Sequence, residues 1–195
     1  PQRLRRPARG GHGCRDPAKA LLAQFPLMRF SVSATTREKR PYEQDGHDYF
    51  YLNEADFRAK IVAGAFVEYE EVYPGLFYGT LRSEIERIAT SGIALLDIDV
   101  EGAQNVKALY GDHVLTLFVK PPSLEALRER LVARGTETAE SLERRLKKAA
   151  YEMSFADKCD VVILNDDLDR AVAEAMAHVH QFMTRKNVKS FQENG

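Results

Sequence analysis

Cysteine is scarce in this chain. Cys14 and Cys159 are the only two in 195 residues, and they lie far apart. With no C-x-x-C pair, neither a zinc site nor a disulfide framework is indicated. A reducing, cytoplasmic setting is the simplest reading. Long apolar runs are missing too. None approaches the 18 or so residues needed to cross a bilayer, so no membrane partner is expected. No apolar h-region is present, so no secretory signal is expected. An excess of one charge is also lacking, and the net charge of −1 argues against a general nucleic-acid binder. The five histidines (His12, His47, His113, His178 and His180) show no ligand spacing. His178 and His180, two apart, point different ways on a helix. No internal repeat is visible.

What is there fits one globular domain. The length is enough for a real core, and 44% hydrophobic with 29% charged residues is ordinary for a soluble protein. The near-neutral average hides an asymmetry. Residues 1–19 hold six Arg or Lys against one Asp, a charge of +5, which leaves −6 for the rest of a chain whose net charge is −1.

Hydrophobic patterning predicts alternating helices and strands. Ala18–Phe25 reads as the end of a helix stopped by Pro26. Phe30–Ser33 reads as a short strand and Thr35–Gly46 as a polar loop. His47–Leu52 is aromatic-rich and strand-like. Asn53 can cap a short helix carrying Phe57 and Ile61 and ended by Gly64. Phe66–Val72 and Leu76–Tyr78 are further strands, so this stretch reads as a small α+β insertion. Leu81, Ile85 and Ile88 recur at helical spacing, with Gly92 closing that helix. Ile93–Val100, Val114–Val119 and Val161–Leu164 are nearly continuous apolar runs between helices, the pattern of buried parallel strands. Helices are predicted over Leu124–Val132, around Leu142–Met153, and from Leu168 to Phe182. The polar tail after Lys186 is expected to fray. The fold class is therefore α/β.

Eight segments, in this order, carry a family resemblance: SVSATTREKR, GHDYFY, FVEYEEV, FYGT, LLDIDVEGAQ, KPPS, RLVARGTE and ILNDDL. From about Ala18 to Met183 the chain resembles the guanylate kinases, a nucleoside monophosphate kinase family. The resemblance implies a P-loop-kinase-like core with a parallel sheet flanked by helices (residues 1–33, 88–123 and 151–195). It also implies a GMP-binding insertion at 34–87 and a helical lid at 124–150. The implied reaction is ATP-dependent phosphorylation of GMP or dGMP to the diphosphate, with Mg2+. The expected partners are GMP and ATP, no nucleic acid and no membrane, in a monomer or homodimer.

The residue types suit that chemistry. A dianionic phosphate needs fixed cations and donors. Arg37 and Arg40 can give bidentate guanidinium contacts, and Tyr49 and Tyr78 can add hydroxyl donors. By resemblance all four hold the GMP phosphate. Guanine offers N1–H and N2–H₂ donors, which one carboxylate can accept together and adenine cannot match. The residues alone leave Glu68 and Glu70 both open for that role; the resemblance picks Glu68, with Ser33, Thr80 and Asp99 completing the polar ring. Asp97 follows an apolar strand, where open α/β sheets place their crevice. The resemblance gives it the ordering of the Mg2+–phosphate region. Phosphoryl transfer also needs cations that follow the moving charge. Arg134 and Arg145 are implied as lid arginines, although Arg128, Arg130 and Arg144 lie nearby and an Arg-rich helix is usually a solvated face. Asn165 matches a position near the adenine, and an Asn before a helix is equally an N-cap.

One expected element is absent. The chain nowhere contains G-x-x-x-x-G-K-[ST], the loop that cradles ATP phosphates. Gly10, Gly11 and Gly13 supply glycine, but Cys14 and Arg15 stand where the Lys and Ser/Thr should follow, and Pro17 comes soon after. A phosphate cation and a magnesium ligand are then missing. An Arg-rich segment poor in acids also suits a transit peptide, but a presequence would precede the loop and not fill its place. The abrupt onset of family-like sequence near Ala18 is the pattern that a shifted reading frame upstream would leave. The alternative function is a catalytically impaired GMP-binding or protein-interaction module.

Overall fold

The computed structural model describes residues 17–192 except 134, 136 and 137, with side chains described as far as residue 185. These residues form two compact units, 25–98 and 17–24 with 99–192. The Gly10–Arg15 stretch lies outside the described residues. Among the described residues, no helix is long and apolar enough to cross a membrane.

In chain order, the elements begin with α1 (Pro17–Gln24), β1 (Met28–Phe30), β2 (Ala34–Thr35) and β3 (Phe50–Tyr51). Then come α2 (Glu54–Val62), β4 (Phe66–Tyr73), β5 (Leu76–Leu81), α3 (Arg82–Ala89) and β6 (Ile93–Leu95). They continue with α4 (Val100–Tyr110), β7 (Leu117–Lys120), α5 (Leu124–Ala133), α6 (Ala139–Met153), β8 (Val161–Leu164) and α7 (Leu168–Gln192). The last helix therefore continues beyond the point where fraying was expected.

The first unit holds a four-stranded sheet in the order β3-β2-β5-β4, and a parallel β1–β6 pair with Met28 opposite Ile93. The small sheet is amphipathic by strand alternation. Phe50, Ala34, Phe77 and Phe66 turn to one face, where Phe57 of α2 stacks on Phe66 at 4.4 Å and Phe77 at 5.1 Å. Asn53 caps α2 as its sequence predicts, with Oδ1 accepting from the Asp56 amide at 2.8 Å. Thr35, Tyr51, Tyr78 and Thr80 fall on the other face. Gly92 admits the chain into β6. A Cβ there would sit 2.2 Å from the Leu27 carbonyl oxygen, the atom that accepts from the Ile93 amide at 2.9 Å.

The second unit pairs β7 and β8 in parallel, with Leu117 opposite Val161 and Lys120 opposite Leu164. The Asp160 carboxylate braces the start of this pair, accepting from the Thr116 amide at 2.8 Å and Lys107 Nζ at 2.9 Å. Helix α1 packs on α7, and α5 on α6. Helix α6 opens with a reciprocal cap: Thr138 Oγ1 accepts from the Ser141 amide, and Ser141 Oγ from the Thr138 amide.

Two sequence expectations are corrected. The Ile93–Val100 run makes a strand only to Leu95, because Asp99 caps α4, its Oδ1 accepting from the Gly102 amide at 2.7 Å. Helix α4 itself is not signalled by the apolar runs. Asn165 is not an N-cap: Asp167 takes that place before α7, accepting from the Arg170 amide at 2.9 Å and, through its carbonyl, from the Ala171 amide.

Candidate active site

The polar face of the small sheet gathers most of the predicted residues of the first unit. Its placement depends on a β-bulge. Phe66 pairs with Leu81, and Glu68 with Thr80, so two steps along β4 match one along β5 and Val67 is the extra residue. Plain alternation would put Phe66 and Glu68 on one face. The bulge sends Phe66 into the aromatic core and Glu68 to the polar side. There Thr80 Oγ1 donates to Glu68 Oε1 at 2.5 Å. Both residues are buried, Glu68 at 8% and Thr80 at 1% exposure. Glu70, opposite Tyr78, is only half-buried. Glu68 is thus the more buried of the two carboxylates.

The basic end of the same face is built on two threonines. Thr35 Oγ1 donates to the Phe77 carbonyl at 2.9 Å and accepts from the Arg37 amide at 3.1 Å. Thr36 Oγ1 donates to the Gly75 carbonyl and accepts from the Phe77 amide. These bonds fix the chain leading into Arg37. The Arg37 guanidinium lies 5.4 Å from the Tyr49 ring and 5.8 Å from the Tyr51 ring. Tyr49 meets Tyr78 edge-on at 6.0 Å. Burial raises the Tyr49 hydroxyl pKa, with the neighbouring Tyr78 adding to it and Arg37 opposing. The phenol is thus held as a neutral donor.

A residue that the sequence reading did not single out ties this end together. Glu43, 2% exposed, accepts from Arg37 Nη2 at 2.8 and 3.0 Å, from the Arg40 amide at 2.9 Å and from the Tyr51 hydroxyl at 2.8 Å. Burial works against its charge, but the bonds from Arg37, Arg40 and Tyr51 bring its pKa down to about 2. Arg37 is held above its ordinary value, burial again opposing and Glu43 prevailing. The available signal was an acid three residues after Arg40 and six after Arg37, inside a basic loop. Arg40 itself reaches outward, its Nη1 donating to the Tyr42 hydroxyl at 3.2 Å.

Ser33 sits between β1 and β2, its carbonyl accepting from the Phe50 amide. Asp97 is exposed, two residues past the C-terminal end of β6, and its charge is among those acting on Tyr49. The second unit holds the others. Asp99 caps α4, with Lys148 Nζ 3.9 Å from its Oδ2. Arg145 is half-buried on α6. Asn165, 3% exposed, follows β8; its amide donates to the Lys120 carbonyl and its own carbonyl accepts from Arg130 Nη1. Arg134 lies outside the described residues.

Comparison with known proteins places the chain in a family. The family profile described as guanylate kinase matches residues 8–185. The chain belongs to the guanylate kinase family. Guanylate kinase from Salinibacter ruber is 55% identical over 177 residues, covering 91% of this chain and 94% of that protein. The Bacteroides fragilis guanylate kinase is 45% identical, covering 90% and 87%. A crystal structure of guanylate kinase from Anaplasma phagocytophilum superposes with a TM-score of 0.63 at 30% identity, covering 86% of this chain and 78% of that one. Membership of the guanylate kinase family makes the chain a nucleoside monophosphate kinase by class, with an α/β fold of the P-loop-kinase kind. This chain carries no G-x-x-x-x-G-K-[ST] motif, and Cys14-Arg15 follows Gly13.

Proposed function

We propose that the chain binds GMP (or dGMP) on the polar face of its small sheet for phosphoryl transfer from ATP, giving GDP and ADP. The observation that carries this reading is the order of residues along β5. Thr80 meets the buried Glu68, and Tyr78, two residues away and so about 7 Å along the strand, meets the Arg37–Tyr49 cluster. Through Thr80 and Tyr78, β5 thus links a carboxylate suited to a base edge with cations suited to a phosphate.

Glu68 would accept from guanine N1–H and N2–H₂, while Thr80 holds the carboxylate in place. Adenine would leave that carboxylate desolvated and unpaired, which is the source of discrimination. Arg37, Arg40, Tyr49 and Tyr78 would take the phosphate, and Ser33 and Asp99 the rest of the base. On the donor side, Arg134 and Arg145 would follow the transferred charge and Asn165 would lie by the adenine. The stretch 124–150 would close as a lid and exclude water. Among the described residues, no group of three or more His, Cys, Asp or Glu could hold a metal ion. Asp97, with nucleotide phosphates and waters, is the set that fits Mg2+, an ion that would supply countercharge to the phosphates. The site needs one copy of the chain, in a monomer or a homodimer, in the cytoplasm.

A second reading rests on the missing loop motif: GMP binding without turnover. Losing the loop lysine and hydroxyl should raise the barrier by about 3–6 kcal/mol, several orders of magnitude in rate. Steady-state ADP release with GMP, ATP and magnesium decides between them, on protein whose intact mass matches this N-terminus. Turnover at about 1–100 per second makes residues 10–15 a working phosphate site. GMP binding without turnover leaves the second reading. No GMP binding removes both.

A further inference from the structure

Glu43 presents a paradox for a site that must attract an anion. Its carboxylate is buried and ionised, and it sits on the arginine that should meet the phosphate. Electrostatics alone would make it a competitor. Two positive guanidinium groups, Arg37 and Arg40, are reduced by it to one net charge.

Its geometry argues for a different part. The two carboxylate oxygens join three separate pieces of structure: the Arg37 side chain, the Arg40 main chain and the Tyr51 hydroxyl on β3. Arg37 is then held at both ends of its fork, Nη2 by Glu43 and Nη1 by the Glu38 carbonyl at 2.8 Å. A free arginine side chain carries rotamer entropy that binding would otherwise have to overcome. The Arg40 backbone is fixed as well, by the Arg40 amide bond to the Glu43 carboxylate at 2.9 Å and by the Glu43 amide bond to the Arg40 carbonyl at 3.0 Å. The Arg37 guanidinium and the Arg40 backbone are therefore set relative to one another before any ligand arrives.

We propose that Glu43 is the positioning residue of the phosphate subsite, fixing Arg37 and the Arg40 backbone for the monophosphate at the expense of one unit of positive charge. This rests on the GMP reading above. Competition and positioning predict opposite signs. Glutamine at position 43 removes the charge and keeps the shape. If Glu43 only competed, GMP would bind more tightly to the variant. If it positions, GMP binds more weakly, and guanosine, which has no phosphate, is unaffected.

The experiment is calorimetric titration of GMP and guanosine into the wild-type chain, Glu43→Gln and Tyr51→Phe. The expected result is a GMP Kd raised about tenfold or more in Glu43→Gln, with guanosine affinity within about twofold of wild type. Tyr51→Phe keeps the ring over Arg37 and removes one bond to Glu43, so a rise of a few-fold is expected for GMP alone. Unchanged or tighter GMP binding by Glu43→Gln overturns the proposal, as does equal loss of GMP and guanosine, which marks a purely structural role. If Glu43→Gln does not fold, Tyr51→Phe decides, and an unchanged GMP Kd overturns the proposal. A wild-type chain that does not bind GMP defeats the functional reading itself. Binding by wild type with no change in either variant defeats the Glu43 role alone.

Discussion

Thr80 donates its hydroxyl to Glu68 Oε1 across 2.5 Å, and the two residues face each other in register across β4 and β5. The bond aims a buried carboxylate from the outer strand of the small sheet. Glu68→Gln replaces one acceptor with a donor that would meet guanine N–H groups head-on. GMP affinity is expected to fall about 100-fold, close to 3 kcal/mol, with weak AMP binding unchanged. Thr80→Val keeps the volume and loses the donor, and a smaller loss, about tenfold, is expected for GMP. Equilibrium binding of GMP and AMP checks both. Equal loss of the two nucleotides in Glu68→Gln would show that Glu68 does not read the base.

Gly79 stands between the two site residues Tyr78 and Thr80 and faces the aromatic core. A Cβ there would lie 2.9 Å from the Glu68 carbonyl oxygen, 2.9 Å from Tyr69 Cβ and 3.0 Å from Phe66 Cδ1. Two of these atoms cannot swing away, because one is backbone and the other is a Cβ. Gly79→Ala must then push β4 from β5 at the position of Glu68. A loss of about 1–3 kcal/mol in stability is expected, accompanied by weaker GMP binding. Urea unfolding followed by GMP titration tests this, and a stable variant with wild-type affinity would contradict it.

The alternation in FYGT and FYL makes the two faces of the small sheet readable from sequence, since Phe50 and Phe77 alternate with Tyr51 and Tyr78. The VVIL run becomes β8 residue for residue, because a short run rich in β-branched side chains between helices suits a buried parallel strand. IALLDIDV misleads in part: Asp97 and Asp99 take the chain out of the ladder, and Asp99 is spent on capping α4. The face that Glu68 takes was beyond pattern reading, because a bulge at Val67 reverses the alternation, and bulges have no fixed sequence mark when glycine is absent. Glu43 was hidden for a related reason. Its partners come from a loop whose turns, not its periodicity, bring Arg37, Arg40 and Tyr51 to one carboxylate.

The Glu43 network should also set the acid stability of the first unit. Its pKa falls from an ordinary 4.5 to about 2 in the folded chain. A depressed carboxylate stabilises the fold fully above the unfolded-state pKa, and that contribution is lost as pH falls through the folded-state value. The window therefore lies between about pH 4.5 and pH 2. The stability gap between wild type and Glu43→Gln should be constant near neutrality and shrink across that window. Urea unfolding of both proteins at pH 7, 4 and 3 measures it. A gap that stays constant down to pH 3 would mean that the Glu43 carboxylate is not preferentially ionised in the folded chain.

Glu84 performs a similar service for the chain before Ser33. It is 3% exposed on α3, and its Oε1 accepts from the Val32 amide at 3.2 Å. Arg87, one turn on, donates to both carboxylate oxygens at 2.8 and 2.9 Å while remaining 65% exposed itself. The pKa of Glu84 is lowered: burial opposes its charge, and Arg87 and the Val32 amide outweigh it. Removing either side chain leaves the other in poor company. Glu84→Ala strands the Val32 amide, and Arg87→Ala leaves a buried carboxylate short of its cation. Glu84→Ala is expected to lose roughly 1–3 kcal/mol, and Arg87→Ala, at an exposed side chain, less. The double variant should lose less than the sum, because the second change removes a group already deprived of its partner. Additive losses in a urea-unfolding cycle would show that the pair is not coupled.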